Sequence, residues 1–295
     1  MSSHHFDALR AARATDPDAI GLALDRRHRR PLLVGDNRLF ILAADHPARG
    51  SLGVRDEEMA MADRYGLLSR LEQALKHPQV DGFLGTPDLV EDLALLGALD
   101  DKIVVGSMNR GGLKSAVFEM DDRFTAYDIE SIKKSHLDFA KLLIRINLAD
   151  PGSARTLEAA AEAVSRAARE QVPIMIEPFI CNWVDGSIHN DLSTEAVIRS
   201  VAISSALGSS SAFTWLKLPV VPDMEKVMRG TTLPTLLLGG DPRDKPDATF
   251  ELWQKALALP GVRGLVVGRT LLYPPDGDVL AAVDRAAQLV HGTAG

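Results

Sequence analysis

Thr214-Trp215-Leu216-Lys217-Leu218-Pro219 reads as a buried β-strand with one costly residue in it. Threonine, tryptophan and leucine favour a packed, pleated surface, and Pro219, which has no amide hydrogen to donate, stops the strand. Lys217 has apolar neighbours on both sides. Lysine is rarely buried without a partner, and burial of such a side chain favours the neutral amine, the form that attacks a carbonyl carbon. Against that chemistry stand two structural uses: a lysine that reaches out of the strand end, or one that pairs with a buried carboxylate.

Working outward from this strand, an alternation of strands and helices runs from Leu39 to Val290. The first strand is Leu39 to Ala44, followed by a helix from Asp56 to Lys76. Gly82 to Gly85 is the second strand, with a helix from Pro87 to Leu99, and Ile103 to Gly106 is the third. A long loop through Gly111-Gly112 leads to a helix from Asp128 to Ser135. The fourth strand is Lys141 to Ile146, with an alanine-rich helix from Ser153 to Glu170. The fifth is Pro173 to Glu177, with a helix from Thr194 to Leu207. The Lys217 stretch is the sixth, with a short helix from Asp223 to Arg229. Pro234 to Leu238 is the seventh, followed by a helix from Ala248 to Leu259. Val262 to Val267 is the eighth, followed by a helix from Val279 to Val290. Short strands that are apolar throughout belong to a parallel sheet covered by helices, and eight such units make an α/β fold of the (β/α)8 TIM-barrel kind. A doubly wound sheet is the alternative. It would want a G-x-G-x-x-G turn after the first strand, where the chain has Asp45-His46-Pro47-Ala48-Arg49-Gly50. The expected organisation is a helical extension over residues 1–37, broken at Asp16-Pro17-Asp18, and one barrel over residues 38–295.

Composition narrows the function. A net charge of −7 argues against nucleic acid or an anionic membrane as partner, while leaving room for a local basic pocket. The single cysteine, Cys181, excludes an internal disulfide framework and fits a reducing, cytoplasmic setting. No apolar run approaches the roughly 18 residues of a membrane span. The basic run Arg26-Arg27-His28-Arg29-Arg30 reads as a solvated helix end. The eight histidines are scattered, apart from the adjacent His4-His5, so no metal site and no cofactor are expected.

In a barrel the active site lies at the carboxyl ends of the strands. Those ends carry Asp45 and His46 (first strand), Lys141 and Arg145 (fourth), Glu177 (fifth), Lys217 (sixth) and Arg269 (after the eighth). The two-residue period puts Lys141 and Arg145 on one face of their strand. Each has a structural alternative: Asp45 as a turn cap, Glu177 as a buried partner for Lys141 or Arg145, Arg145 as a plug. Together those alternatives weaken, because a barrel fills itself more cheaply with aliphatic side chains than with two lysines and a glutamate. A second signal comes from Gly239-Gly240-Asp241 and Gly268-Arg269-Thr270, after the seventh and eighth strands. Barrels commonly bind phosphate there; glycines let backbone amides approach the anion, and an arginine adds a fork of donors. Ordinary turn chemistry is the alternative.

The motifs Leu42-Ala43-Ala44-Asp45-His46, Lys141-Leu142-Leu143-Ile144-Arg145, Ile174-Met175-Ile176-Glu177-Pro178, Leu216-Lys217-Leu218-Pro219 and Val267-Gly268-Arg269, in that order, resemble the class I (Schiff-base) aldolases of the tagatose-bisphosphate aldolase kind. They also resemble the aldolase module associated with 5-dehydro-2-deoxygluconokinase in myo-inositol catabolism. The resemblance implies a metal-independent lyase in which Lys217 forms the imine while Lys141, Glu177 and Asp45 line the site. His46 stands where the sugar-bisphosphate enzymes usually have glutamine, and Arg145 where they tend to have an aromatic residue. The loop Met108-Asn109-Arg110-Gly111-Gly112 has no counterpart in them. Arg110 and Arg145 fit an additional carboxylate, and Arg145 followed by Asn147 is closer to the inositol-pathway module.

The expected reaction is therefore cleavage of a phosphorylated keto-sugar or keto-sugar acid, best 2-deoxy-5-keto-gluconate 6-phosphate, to dihydroxyacetone phosphate and an aldehyde. The expected phosphate contacts are Gly239, Gly240, Gly268 and Arg269. Two other readings share the barrel: a phosphosugar isomerase or epimerase in which Glu177 or Asp45 moves protons without an imine, and a non-catalytic phosphosugar-binding regulator. The expected partner is the phosphorylated small molecule, and a homo-oligomer is compatible with the sequence.

Overall fold

The computed structural model describes residues 6–240 and 246–292. Its strands are β1 (Leu39–Ala43), β2 (Gly82–Gly85), β3 (Ile103–Ser107), β4 (Phe139–Ile146), β5 (Ile174–Val184), β6 (Ser187–Asn190), β7 (Thr214–Leu218), β8 (Thr235–Leu238) and β9 (Val262–Val267). All but β6 are parallel neighbours in the order β4-β3-β2-β1-β9-β8-β7-β5, and β4 pairs with β5 to close the ring. The eight-stranded α/β barrel expected from the alternation is the fold observed, with the Lys217 strand as β7.

The helices are α1 (Asp7–Thr15), α2 (Asp18–Arg26), α3 (Arg64–Leu75), α4 (Pro87–Leu95), α5 (Ile129–Lys134), α6 (Gly152–Glu170), α7 (Thr194–Ser205), α8 (Met224–Met228), α9 (Pro246–Leu257), α10 (Arg269–Leu272) and α11 (Val279–His291). Local chemistry sets several starts. Asp63 accepts a hydrogen bond from Tyr65 N, so α3 begins eight residues later than the predicted Asp56. Asp128 and Ser131 form a reciprocal capping box at α5. Among the described residues no helix is long and apolar enough to cross a membrane.

Period-two alternation divides the strands into two packed groups. Leu39, Ile41, Ala43, Leu84, Ile103, Val105, Phe139, Met175, Trp215, Leu236 and Val266 fill the barrel, with Phe139 and Trp215 meeting edge to face at 5.5 Å. Phe40, Leu42, Leu142, Ile144, Ile176 and Leu216 face the helices. Lys141, Glu177 and Lys217 each stand two residues beyond Phe139, Met175 and Trp215, and so continue the interior set upward.

Two expectations need correction. The fifth strand does not stop at Glu177 but runs to Val184, and its end folds back on β6 as an antiparallel hairpin. Pro178 is tolerated because the pairing of β5 with β7 ends at Ile176, leaving only the β4 side to be bonded. The basic run after α2 is not a solvated helix end. Arg27 is buried and donates to Lys102 O, His136 O and Asp138. Arg29 pairs with the other oxygen of Asp138, and Arg30 pairs with Asp81. Leu32 and Leu33 then pack against the interior group. This segment covers the amino ends of the strands, where Asp81, Lys102 and Asp138 immediately precede β2, β3 and β4.

Candidate active site

Four side chains converge at the carboxyl end of the interior. Lys141 Nζ donates to Asp45 Oδ2 at 2.7 Å and lies 2.8 Å from Glu177 Oε2. Lys217 Nζ donates to the same Glu177 oxygen at 3.0 Å. Strand register explains the meeting. Glu177 and Lys217 each follow the paired residues Ile176 and Leu216, and Lys141 lies across from Ser107 and Met175. One carboxylate is therefore shared by two lysines at the end of the barrel core, with Lys141 the most deeply enclosed at 2% side-chain exposure.

Burial opposes charge on all three groups whose protonation is perturbed, and the mutual attraction wins. Lys141 is held above the usual lysine range by Asp45 and Glu177. Asp45 and Glu177 are held below the usual carboxylate range by Lys141 and Lys217. Both carboxylates are thus ionised at neutral pH. His46 behaves differently. Burial, reinforced by Arg269, lowers it to about 3, so its imidazole is neutral. Its Nδ1 has no hydrogen-bond partner and sits 3.9 Å from Asp45 Oδ1.

The remaining predicted residues take distinct places. Gly268 lies against β1 so closely that a Cβ would fall 2.2 Å from Ala43 O and 3.2 Å from His46 Cε1. Gly240 has φ +68°, the left-handed region that suits glycine, and Gly239 packs on Val267. Arg269 Nη1 donates to Gly53 O at 3.3 Å. Asp241 and the His4-His5 pair lie outside the described residues. Arg145 is buried but committed, with Nη1 2.5 Å from Glu119 Oε1. Arg110 is exposed; its guanidinium binds Ala48 O and, at 3.1 Å, Thr125 Oγ1, tying the β3–α5 loop to the β1–α3 loop. Lys114 N donates to Arg49 O at 2.9 Å and adds a second tie.

Three residues of this rim carry no signal in the strand pattern, because they sit on loops. Arg49 ends the short 3₁₀ turn His46–Arg49, and its Nη2 is 4.0 Å from Glu119 Oε1. Glu119 also accepts from Ser115 N at 3.0 Å. Asp122 accepts from Asn109 Nδ2 at 2.8 Å and from the amides of Gly111 and Gly112, yet burial raises it to about 6. Asn109 in turn clamps β4, exchanging hydrogen bonds with the Leu143 amide and carbonyl. Cys181 is a buried free thiol on β5 with Sγ 3.7 Å from Met120 Sδ.

Comparison with known proteins agrees with this architecture. A comparison with the curated proteins gives no match. Among solved structures the chain is similar to Cgl0159 from Corynebacterium glutamicum, with 62% identity, 99% of this chain and 98% of that chain covered, and a TM-score of 0.96. It also resembles an archaeal fructose-1,6-bisphosphate aldolase whose catalytic lysine is covalently bound to the carbinolamine intermediate of its substrate (17% identity, 92% and 100% covered, TM-score 0.65). A Schiff-base-forming fructose-1,6-bisphosphate aldolase follows at 16% identity, 92% and 99% coverage and a TM-score of 0.60. At those identities the aldolases share the barrel fold with this chain. The family model described as Cgl0159-like matches residues 37–287, which span the whole barrel, and the chain belongs to the Cgl0159-like family.

Proposed function

We propose that this protein is a class I aldolase that cleaves a phosphorylated keto-sugar acid through an imine on Lys217. The observation that carries the reading is the single carboxylate oxygen of Glu177 held between the two lysines. The cluster sets two lysines against two carboxylates, yet both lysine amines converge on one Glu177 oxygen at the carboxyl end of the strands, where a barrel enzyme does its chemistry. The fold shared with aldolases supports the same reading.

In this mechanism Lys217 passes a proton to Glu177 across the 3.0 Å contact, and its free amine attacks the ketone carbon. Glu177 returns the proton to the departing oxygen, and water leaves to give the protonated imine. Lys141 keeps its charge and stabilises the oxygen as it becomes negative. A carboxylate, Glu177 or Asp45, takes the proton of the hydroxyl two carbons from the imine carbon. The C–C bond breaks, the aldehyde departs, and the bonding pair is held as an enamine. Protonation at carbon and addition of water release dihydroxyacetone phosphate and restore Lys217. His46, neutral and with Nδ1 unpaired, is placed to hydrogen-bond a substrate hydroxyl. Gly239, Gly240, Gly268 and Arg269 are assigned to the phosphate. Gly268 supports this because it removes side-chain bulk between Ala43 and His46. The favoured substrate is 2-deoxy-5-keto-gluconate 6-phosphate, an intermediate type that suits myo-inositol catabolism.

Incubating the purified protein with that compound and measuring dihydroxyacetone phosphate by coupled reduction tests the proposal. Release of the triose phosphate, abolished when borohydride is added together with the substrate, is the expected result. An intact substrate would end this substrate assignment, and turnover unaffected by borohydride would end the imine.

A further inference from the structure

The rim of the site holds an arginine that no step above uses. Arg49 is carried on the turn His46–Arg49, which begins directly after Asp45 and has Pro47 near its start and the left-handed Gly50 behind it. The turn is held from the other side by Arg110, through Ala48 O, and by Lys114 N, through Arg49 O. The backbone of Arg49 is therefore fixed with respect to both the catalytic carboxylate and the β3–α5 loop. Its side chain is largely enclosed, at 17% exposure, yet Nε has no hydrogen-bond partner. Its 4.0 Å contact with Glu119 is beyond hydrogen-bond length. An enclosed guanidinium with an unused donor is expensive unless something arrives to satisfy it.

Glu119 shows what fits. Its Oε1 lies between Arg145 Nη1 at 2.5 Å and Arg49 Nη2 at 4.0 Å. Arg145 donates to that carboxylate through Nη1, although its own Nε is unpaired, whereas Arg49 is only approached by it. Arg49 also lies within electrostatic reach of Glu177, Asp45 and Arg269. Around the site the five cations Lys141, Lys217, Arg49, Arg145 and Arg269 outnumber the four carboxylates Asp45, Glu177, Glu119 and Asp122. That surplus favours an anionic ligand.

We infer that Arg49 is the specificity residue of the site, binding the carboxylate of a phosphorylated sugar acid through its free Nε and the adjacent Nη2. A planar guanidinium matches a carboxylate with two parallel hydrogen bonds, which an ammonium group cannot do. The inference rests on reading the site as one for a phosphorylated keto-sugar acid, and it moves the carboxylate contact from Arg110 and Arg145, each of which already donates to a protein oxygen, to Arg49.

The test uses two six-carbon probes without a ketone, so that no imine is needed: 6-phosphogluconate and glucitol 6-phosphate, which differ by a carboxylate in place of a hydroxymethyl group. Their affinities for the full-length protein and for Arg49→Met are measured by titration calorimetry. The wild-type protein is expected to prefer 6-phosphogluconate by about tenfold or more, the size of a charge-assisted hydrogen-bond pair. R49M should bind the two probes within about threefold of each other. Arg49→Lys, which keeps the charge and loses the fork, should retain part of the preference, and it serves alone if R49M fails to fold. A wild-type protein without preference would overturn the inference. So would an R49M that weakens both probes equally, which would mark a phosphate or structural role. Loss of the aldolase reading leaves this result untouched: a preference abolished by R49M in a protein that forms no imine would still place the carboxylate on Arg49.

Discussion

The two ends of the barrel both bury charge, and they bury it differently. At the amino end, Asp138 accepts from Arg27, Arg29 and the Val104 amide, and Asp81 accepts from Arg30 and the Phe40 amide. Each carboxylate there ties an arginine of the N-terminal segment to a strand, so the charges act as rivets. At the carboxyl end, Asp45 and Glu177 take their hydrogen bonds from lysine ammonium groups that meet at one oxygen, and His46 Nδ1 and Arg49 Nε stay unpaired. Burying a polar group without a partner costs about 1–3 kcal/mol; such atoms include Arg27 Nε at the lower end, and His46 Nδ1, Arg49 Nε and Arg145 Nε gathered around one space at the upper end. On the proposed reading, the partners that complete the upper end come with the substrate.

Substitutions sharpen the contrast. The largest effect is expected from Lys217→Met, which should lower kcat on the order of 10⁴-fold or more while the fold persists, because Lys141 still neutralises Glu177. Steady-state turnover together with a urea titration separates the two readings, and a variant within tenfold of the parent would sink the imine. Glu177→Gln should slow turnover by roughly 10²–10⁴-fold, the usual range for a general acid–base group.

At the other end, Asp138→Ala strands Arg27 without its carboxylate. A loss of about 3–5 kcal/mol is expected in chemical denaturation, with kcat of the folded fraction unchanged. A loss below 1 kcal/mol would show that the lower charges are dispensable and that the contrast drawn here is false.

The smallest effect concerns Asp122. Its folded pKa, about 6, lies above the ordinary carboxylate value. Between those two values the folded chain holds a proton that the unfolded chain has released, so stability falls as pH rises toward 6 and levels off above it. The fall is on the order of 2–3 kcal/mol. Asp122→Asn should flatten that part of the stability–pH curve, as read from melting temperatures between pH 4 and 7. A curve of unchanged slope would remove Asp122 as its source.

Much of this arrangement is legible in the chain because barrel interiors are strict. Lys141, Glu177 and Lys217 stand out as charged residues in apolar strands, and the two-residue period is enough to place Lys141 and Arg145 on one face. Pro219 marks the true end of its strand: β7 pairs with β5 up to Leu216 and with β8 up to Leu218. Pro178 misleads because β5 stays paired with β4 past it, after losing β7 at Ile176. The rivets of Arg27 and Arg30 are hidden because their partners lie 111 and 51 residues away along the chain. Arg49 and Glu119 are hidden because loops have no period, so only the folded contacts bring them to the site.

The measurement that bears most directly on the central claim is reductive trapping with peptide mapping. The protein is incubated with dihydroxyacetone phosphate and sodium borohydride, digested, and sequenced by mass spectrometry. A triose phosphate fixed through a secondary amine on Lys217 is the predicted result. An adduct on Lys141 would keep the chemistry and exchange the roles of the two lysines. No adduct with this donor or with a panel of phosphorylated ketones would contradict the account, leaving a barrel that moves protons or only binds.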